Sequence, residues 1–129
     1  VGYLIIDTSS MLYGFAYNRN VFEAAQRRFP GSTLLVSRGI IRELNRFSSQ
    51  KGKKGLRARI ALLELKAKKI NVDNINANAD SWILDTAPKR GGSVVVTNDT
   101  ALAKRLSSKG VKVYKISRSG LLKAFNTDE

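Results

Sequence analysis

The sequence predicts an α/β fold in which a central parallel sheet is covered by helices on both faces. Short β-branched or leucine-rich runs alternate with helical patterns from one end to the other, the layout of a βαβ chain. The runs are mostly apolar without alternation, as strands buried on both faces require. A length of 129 residues, with no composition break and no internal repeat, is the size of one compact domain. Taken in order, Tyr3 to Ile6 reads as the first strand, Val21 to Arg28 as a helix, and Pro30-Gly31 as the turn into a second strand, Thr33 to Val36. A helix is expected from Gly39 to Phe47. Ser48 to Gly55 (SSQKGKKG) is the only low-complexity piece and reads as a mobile, solvated loop. Helices follow at Leu56 to Lys69 and Ala79 to Ala87, then the Gly91-Gly92 turn, a strand at Ser93 to Val96, a helix at Thr100 to Lys109, and a strand at Val111 to Ile116. A short C-terminal helix is expected from Ser119. The domain should span residues 1–125, with 126–129 as a tail.

Charge and composition narrow the chemistry. Lys and Arg total 23 against 10 Asp and Glu, a formal charge of +13, which points to a polyanionic partner, nucleic acid before anionic membrane. Histidine and cysteine are both absent. That excludes disulfide scaffolds, thiol nucleophiles, imidazole or thiolate zinc sites and every triad that needs an imidazole. Chemistry must therefore run on carboxylates, hydroxyls, lysines or a metal held by oxygen. No phosphate-cradling glycine pattern follows a strand, which disfavours P-loop and dinucleotide enzymes. No apolar run approaches the roughly 18 residues of a membrane span and no cleavable leader is evident, so the expectation is a cytoplasmic protein with no membrane partner.

With so few acids, each can be placed individually around its helix at about 100° per residue. Glu23, Glu64 and Asp85 each have a cation four residues on, at Arg27, Lys68 and Lys89, in the acid-first orientation that stabilises a helix surface. Asp80 instead falls within the stripe of Ile83, Leu84 and Ala87, and Asp99 heads the stripe of Leu102, Ala103 and Leu106, so both are expected to face inward. Glu43 lies beside the stripe of Ile40, Leu44 and Phe47, although Arg46 offers a local ion pair. Asp7 closes the first strand, where open α/β sheets hold their ligands, and Asp99 follows a strand in the same way. Each has a structural alternative, since Asp7-Thr8-Ser9-Ser10 and Thr97-Asn98-Asp99-Thr100 are both good helix entries. An ionised carboxylate buried without a partner costs several kcal/mol, so four acids converging on one crevice demand a cation. Oxygen-only ligation suits Mg²⁺ or Mn²⁺, which can polarise a phosphate and supply a nucleophilic water; the reaction expected is phosphodiester hydrolysis.

Ile5-Ile6-Asp7-Thr8-Ser9, Ile41-Arg42-Glu43-Leu44, Ala79-Asp80-Ser81-Trp82-Ile83-Leu84 and Val96-Thr97-Asn98-Asp99 together resemble, in order and spacing, the PIN-domain nuclease superfamily. Within it, Leu56-Arg57-Ala58-Arg59-Ile60-Ala61 and the segments Lys104 to Leu106 and Val111 to Ile116 are most similar to archaeal relatives of the Fcf1 and Utp24 ribosomal-RNA-processing proteins. The resemblance implies a Rossmann-like three-layer sandwich and a metal-dependent endoribonuclease. In it Asp7, Glu43, Asp80 and Asp99 would hold Mg²⁺ or Mn²⁺, with Ser9 and Thr97 in support. The implied substrate is structured or precursor ribosomal RNA, cut to leave a 5′-phosphate; a homodimer is compatible with the likeness. Many members carry another acid directly after the third, where this chain has Ser81, and others one soon after the fourth, where it has Thr100 and Ala101; both departures weaken a second metal site. The alternatives are a non-catalytic RNA-binding assembly factor and a toxin-type ribonuclease of the same superfamily.

Arg38 to Lys69 carries 11 Lys or Arg and only two acids. Arg42 and Arg46 project away from their helix stripe, Lys51, Lys53 and Lys54 lie on the expected loop, and Arg57 leads into the next helix. These six are the expected RNA contacts. Lys66, Lys68 and Lys69 need only the dipole of a helix end as explanation. Phe47 reads as core, and Trp82, off its helix stripe, as packing between helices, so base stacking is not expected.

Overall fold

The structure, a computed structural model, describes residues 2–68 and 70–125; Lys69 and the expected tail at 126–129 lie outside the described residues. Strand β1 (Tyr3–Ile6) leads through helices α1 (Thr8–Ala16) and α2 (Val21–Arg28) to β2 (Thr33–Ser37). Helices α3 (Arg38–Ser48) and α4 (Lys53–Ala67) follow, then β3 (Asn71–Asp73), α5 (Ala79–Thr86) with a 3₁₀ turn at Ala87–Lys89, β4 (Val94–Val96), α6 (Thr100–Ser108), β5 (Lys112–Ile116) and β6 (Leu122–Ala124). One sheet takes the order β3-β2-β1-β4-β5-β6. Every pairing is parallel except β5 with β6. The chain leaves β1 towards β2 on one side, while β4 joins β1 on the other. A crevice must therefore open beyond the carboxyl ends of β1 and β4.

Consecutive residues show that both sheet faces are covered: Leu4, Ile5 and Ile6 are all buried, as are Val94, Val95 and Val96. Adjacent strand residues point to opposite faces, so a run buried without alternation needs helices on each side. This is the three-layer arrangement expected. Among the described residues no helix is long and apolar enough to cross a membrane.

Side-chain caps set most helix starts. The Asn20 side chain accepts from the backbone N–H of Phe22 and Glu23, Ser37 Oγ from Ile40, Asn78 Oδ1 from Ser81, and Asp99 Oδ1 from Leu102. Each satisfies amides that the first helical turn leaves unpaired. Two of the three expected surface ion pairs form, Lys68 with Glu64 at 3.5 Å and Lys89 with Asp85 at 3.0 Å; Glu23 and Arg27 are not paired within ion-pair distance. Nor does Arg46 reach Glu43; its guanidinium lies over the Phe47 ring.

Four elements differ from expectation. The C-terminal segment from Ser119 is a hairpin strand, because Gly120 at φ 88° reverses the chain. The N–H of Ser117 then donates to the carbonyl of Leu121, and β6 pairs with β5 through Ile116 and Leu122. The expected loop Ser48 to Gly55 shrinks to the link between α3 and α4, and Lys53 and Lys54 sit on the first turn of α4. That turn closes tightly at Gly55, where a Cβ would stand 1.9 Å from the Gln50 carbonyl oxygen. Helix α1 and strand β3 were not anticipated as elements. Helix α1 mixes hydroxyls and aromatics without a clear stripe, and β3 is a three-residue edge strand exposed at Asn71 and Val72.

Candidate active site

Asp7 and Thr97 sit side by side at the switch point. The N–H of Asp7 donates to the Val96 carbonyl at 2.9 Å, and that of Thr97 to the Tyr114 carbonyl at 2.9 Å, so both residues are the last rungs of adjacent ladders. Asp7 occupies the N-cap position of α1, yet its carboxylate makes no cap bond, which removes the structural alternative for it. Instead Oδ2 accepts from Ser9 Oγ at 2.7 Å and from Thr97 Oγ1 at 2.9 Å. Those hydroxyls are themselves aimed. Ser9 Oγ accepts from the N–H of Asn98 at 3.1 Å, and Thr97 Oγ1 from the N–H of Asp99 at 3.1 Å. A hydroxyl that accepts from an amide has its proton left to give, and both protons go to the same oxygen of Asp7. Asp7 is 4% exposed; a charge at that depth is tolerable only with such donors or a cation. Among the described residues its Oδ1 has no hydrogen-bond partner.

Asn98 fixes this corner and was not identified from sequence. Its Oδ1 accepts from Ser10 Oγ at 2.7 Å and from the N–H of Ile116 at 3.2 Å, while its Nδ2 donates to the Ile116 carbonyl at 3.0 Å. One amide thus ties α1, the end of β4 and the end of β5 together. The signal available was the pair of polar triplets Thr8-Ser9-Ser10 and Thr97-Asn98-Asp99, each longer than one helix cap needs.

The remaining acids reach the crevice from helices. Asp99 both caps α6 and faces the site: Oδ1 is used on Leu102, and among the described residues Oδ2 has no hydrogen-bond partner. Glu43 is half-buried on α3, in a depression of about 260 Å³ lined also by Gly39, Arg42, Arg46 and Asn78. Gly39 makes this approach feasible, since a Cβ there would lie 2.1 Å from the Ala77 carbonyl oxygen. Asp80 departs from expectation. It is exposed, not turned into the core, and Asp99 is only half-buried. Both stand in the first turn of their helices or at its cap, beyond the last sheet residue, so the stripe that packs Ile83 and Leu84 has no sheet beneath it there.

Asp80 nevertheless feels the other three. Its carboxyl is held above the ordinary carboxylate range, first by partial desolvation and then by the charges of Asp7, Asp99 and Glu43, with Arg105 of α6 pulling in the opposite sense. Arg105 is a second residue that sequence reasoning did not place at the site; it lines a depression with Asp80, Ser81 and Lys109. A carboxyl with a raised folded-state pKa binds its proton more tightly in the fold than in the unfolded chain. It therefore favours folding at low pH and loses that contribution as pH rises through the raised value. Asp80→Asn should accordingly raise the melting temperature at neutral pH by about 2 °C in chelator, a surface-scale effect. Wild type and variant should converge as pH falls below the carboxylate range; a variant that melts lower at pH 7 would show that the four acids do not repel one another.

Among the described residues, no three acidic side chains stand close enough to enclose an ion directly. The donor set is an all-oxygen group of separated carboxylates, each with an oxygen to spare. Such a set fits a hard divalent ion that keeps much of its water and takes only a few protein oxygens.

Of the expected basic contacts, Arg42 donates through Nη1 to Asn76 Oδ1, and Lys54 Nζ lies 4.0 Å from the centre of the Phe47 ring. Arg46, Lys51, Lys53 and Lys54 are exposed, and Arg57 is half-buried. Helix α4 starts with two lysines, no acid in its first turn and no side-chain cap. Cations at that end oppose the helix dipole by about 0.3–1 kcal/mol each, so the dipole does not explain them. Trp82 is buried, as packing between elements required, and its Nε1 donates to Asp73 Oδ2 at 3.0 Å. That bond, with the one from the N–H of Ile75, occupies Asp73 away from the crevice.

A family profile described as a PIN like domain matches residues 4–118. Among solved structures, the chain superposes on one titled as the structure of the PIN domain endonuclease Utp24, with a TM-score of 0.77 and 20% identity, over 95% of this chain and 90% of that one. No curated protein matches it.

Proposed function

The chain belongs to the PIN-like domain family, and on that premise we propose that it is a metal-dependent endoribonuclease that hydrolyses phosphodiester bonds in RNA, with precursor ribosomal RNA as the substrate class. The carrying observation is Asp7, buried at the switch point of the sheet with two aimed hydroxyls on one oxygen and, among the described residues, no hydrogen-bond partner on the other. Ser9 and Thr97 fix the orientation of the Asp7 carboxylate, because each hydroxyl accepts from a backbone amide and donates its proton to Oδ2. Oδ1 of Asp7, Oδ2 of Asp99, and the carboxylates of Glu43 and Asp80 would hold Mg²⁺ or Mn²⁺. The ion would supply charge for the scissile phosphate and acidify a water. Arg42, Arg46, Lys51, Lys53, Lys54 and Arg57 lie along α3, α4 and the link between them, where their charge draws the phosphate backbone towards the acids. Asn98 is a positioning residue: its bonds to Ser10 and Ile116 hold the Thr97 and Asp7 strand ends in register.

The test is cleavage of a structured RNA by the wild-type chain with Mn²⁺ or Mg²⁺, with EDTA, and by Asp99→Asn. Wild type should cut internally, leaving 5′-phosphate ends; chelator should stop it, and Asp99→Asn should slow it by about a hundredfold, ~2.7 kcal/mol. Asparagine retains an oxygen able to cap Leu102, so α6 should remain intact. RNA binding without cleavage in wild type would instead identify a non-catalytic assembly factor.

A further inference from the structure

At the opposite end of the sheet lies an open cavity of about 470 Å³, lined by residues that include Arg28, Phe29, Ser32, Ser93 and Lys112. It sits where β1, β4 and β5 begin. Five residue steps of extended chain separate its wall at Gly2 from Asp7, about 17 Å at strand rise, so it is not part of the acidic crevice. We propose that this cavity is a second phosphate-binding site that takes a phosphoryl group together with its nucleoside.

Three features carry the proposal. No acidic residue lines the cavity, and among the described residues neither Arg28 nor Lys112 is in an ion pair. Two cations therefore share a concave wall with no counter-charge. Arg28 is also held in place. Its guanidinium lies 5.1 Å from the centre of the Phe29 ring and 5.6 Å from that of Tyr114, and those two rings pack edge to face at 5.1 Å. Contact with aromatic rings engages the guanidinium by its face and leaves edge N–H groups for a bidentate oxyanion. The rings thus prepay part of the ordering that a flexible arginine would lose on binding. Finally, Lys112 begins β5 in register with Val94, so its backbone is anchored in the ladder while its side chain is exposed. The volume falls within the range of small-molecule sites, more than a lone inorganic ion needs.

The phosphoryl group could be carried by an RNA backbone or by a free nucleotide, and the experiment separates the two. Binding of a fluorescent single-stranded oligouridylate and of adenosine 5′-monophosphate is measured in EDTA for wild type, Arg28→Ala, Lys112→Ala and the double variant. Amide resonances of Gly92, Gly110 and Lys112 are followed by NMR, and each variant's melting is checked. Lys112→Ala removes no ring contact and keeps the test clear of folding effects should Arg28→Ala lose stability. If RNA occupies the cavity, the double variant should bind the oligonucleotide about tenfold more weakly. Its log-log salt slope should fall by about 1.4, two phosphates at roughly 0.7 each. If a free nucleotide is the ligand, adenosine 5′-monophosphate should shift the three resonances in wild type and not in the double variant, with oligonucleotide affinity unchanged. Wild-type affinity and salt slope in Lys112→Ala and the double variant, with no resonance shift by either ligand, would overturn the proposal. Because chelator is present throughout, this result is independent of whether the chain cleaves RNA.

Discussion

Asp7→Asn is expected to lower RNA cleavage by about a thousandfold or more, close to 4 kcal/mol of transition-state stabilisation, with the fold retained. Asparagine has nearly the same shape. Its amide oxygen can accept from Ser9 Oγ and Thr97 Oγ1 as Oδ2 does now, and its backbone N–H still reaches Val96. What disappears is the negative charge at the point where the carboxyl ends of β1 and β4 meet, on the most buried of the four acids. The amide nitrogen would then take the place of Oδ1, turning a donor towards the ion. Loss of activity should be matched by loss of the melting-temperature rise that Mn²⁺ confers on wild type, since a ligand that binds only the folded state stabilises it. Thermal melts with and without Mn²⁺, alongside single-turnover cleavage, check both halves. Equal cleavage by wild type and Asp7→Asn would end the nuclease assignment.

Gly39→Ala is expected to destabilise the fold by about 2–3 kcal/mol, as overpacking in a tight contact does, and so to lower the melting temperature by roughly 10 °C. The new methyl would be placed 2.1 Å from the Ala77 carbonyl oxygen, and neither partner is a flexible side chain that can swing away. Helix α3 and the segment leading into α5 would have to separate. Glu43 lies one turn beyond Gly39 on the same face of α3, and Asn78 and Ala79 form the opposite wall of its depression, so the separation would also widen the space between Glu43 and Asp80. Cleavage should fall even at temperatures where the variant is fully folded. Gly91→Ala provides the contrast: nothing lies within 4 Å of a Cβ there, and its melting should stay within about 0.5 kcal/mol of wild type. Calorimetry on the two variants decides the matter; coincident melts would mean that α3 and α5 are not in close contact.

The elements of the chain differ in how much could be read from them without coordinates. Strands with long apolar runs, such as Tyr3-Leu4-Ile5-Ile6, were legible because parallel strands buried on two faces leave an unbroken hydrophobic signature. Helices α2, α3, α5 and α6 were legible from their stripes and caps. Helix α1 was not, since its hydroxyls at Ser9 and Ser10 serve Asp7 and Asn98 in place of a helix stripe. The C-terminal segment was misread because Leu121 to Phe125 suits a helix locally, and only the turn at Gly120 together with the open edge of β5 makes it a strand.

By itself, the sequence determined which chemistry was available: without histidine or cysteine, and with ten acids among 23 basic residues, only an oxygen-ligated centre in a basic surround could form. It also determined that Asp7 and Asp99 would follow strands, because the apolar runs end immediately before Asp7 and shortly before Asp99. The tertiary structure decided which acids are structural and which are free. Asp7 is released from capping by hydroxyls 2 and 90 residues away in the chain, Asp99 divides its two oxygens between cap and crevice, and Asp73 is committed to Trp82. Asp80 stands at the mouth of the crevice, exposed, because the sheet ends before it. Such outcomes depend on which groups meet across distant parts of the chain. Residue type and periodicity are local properties and carry no record of those meetings.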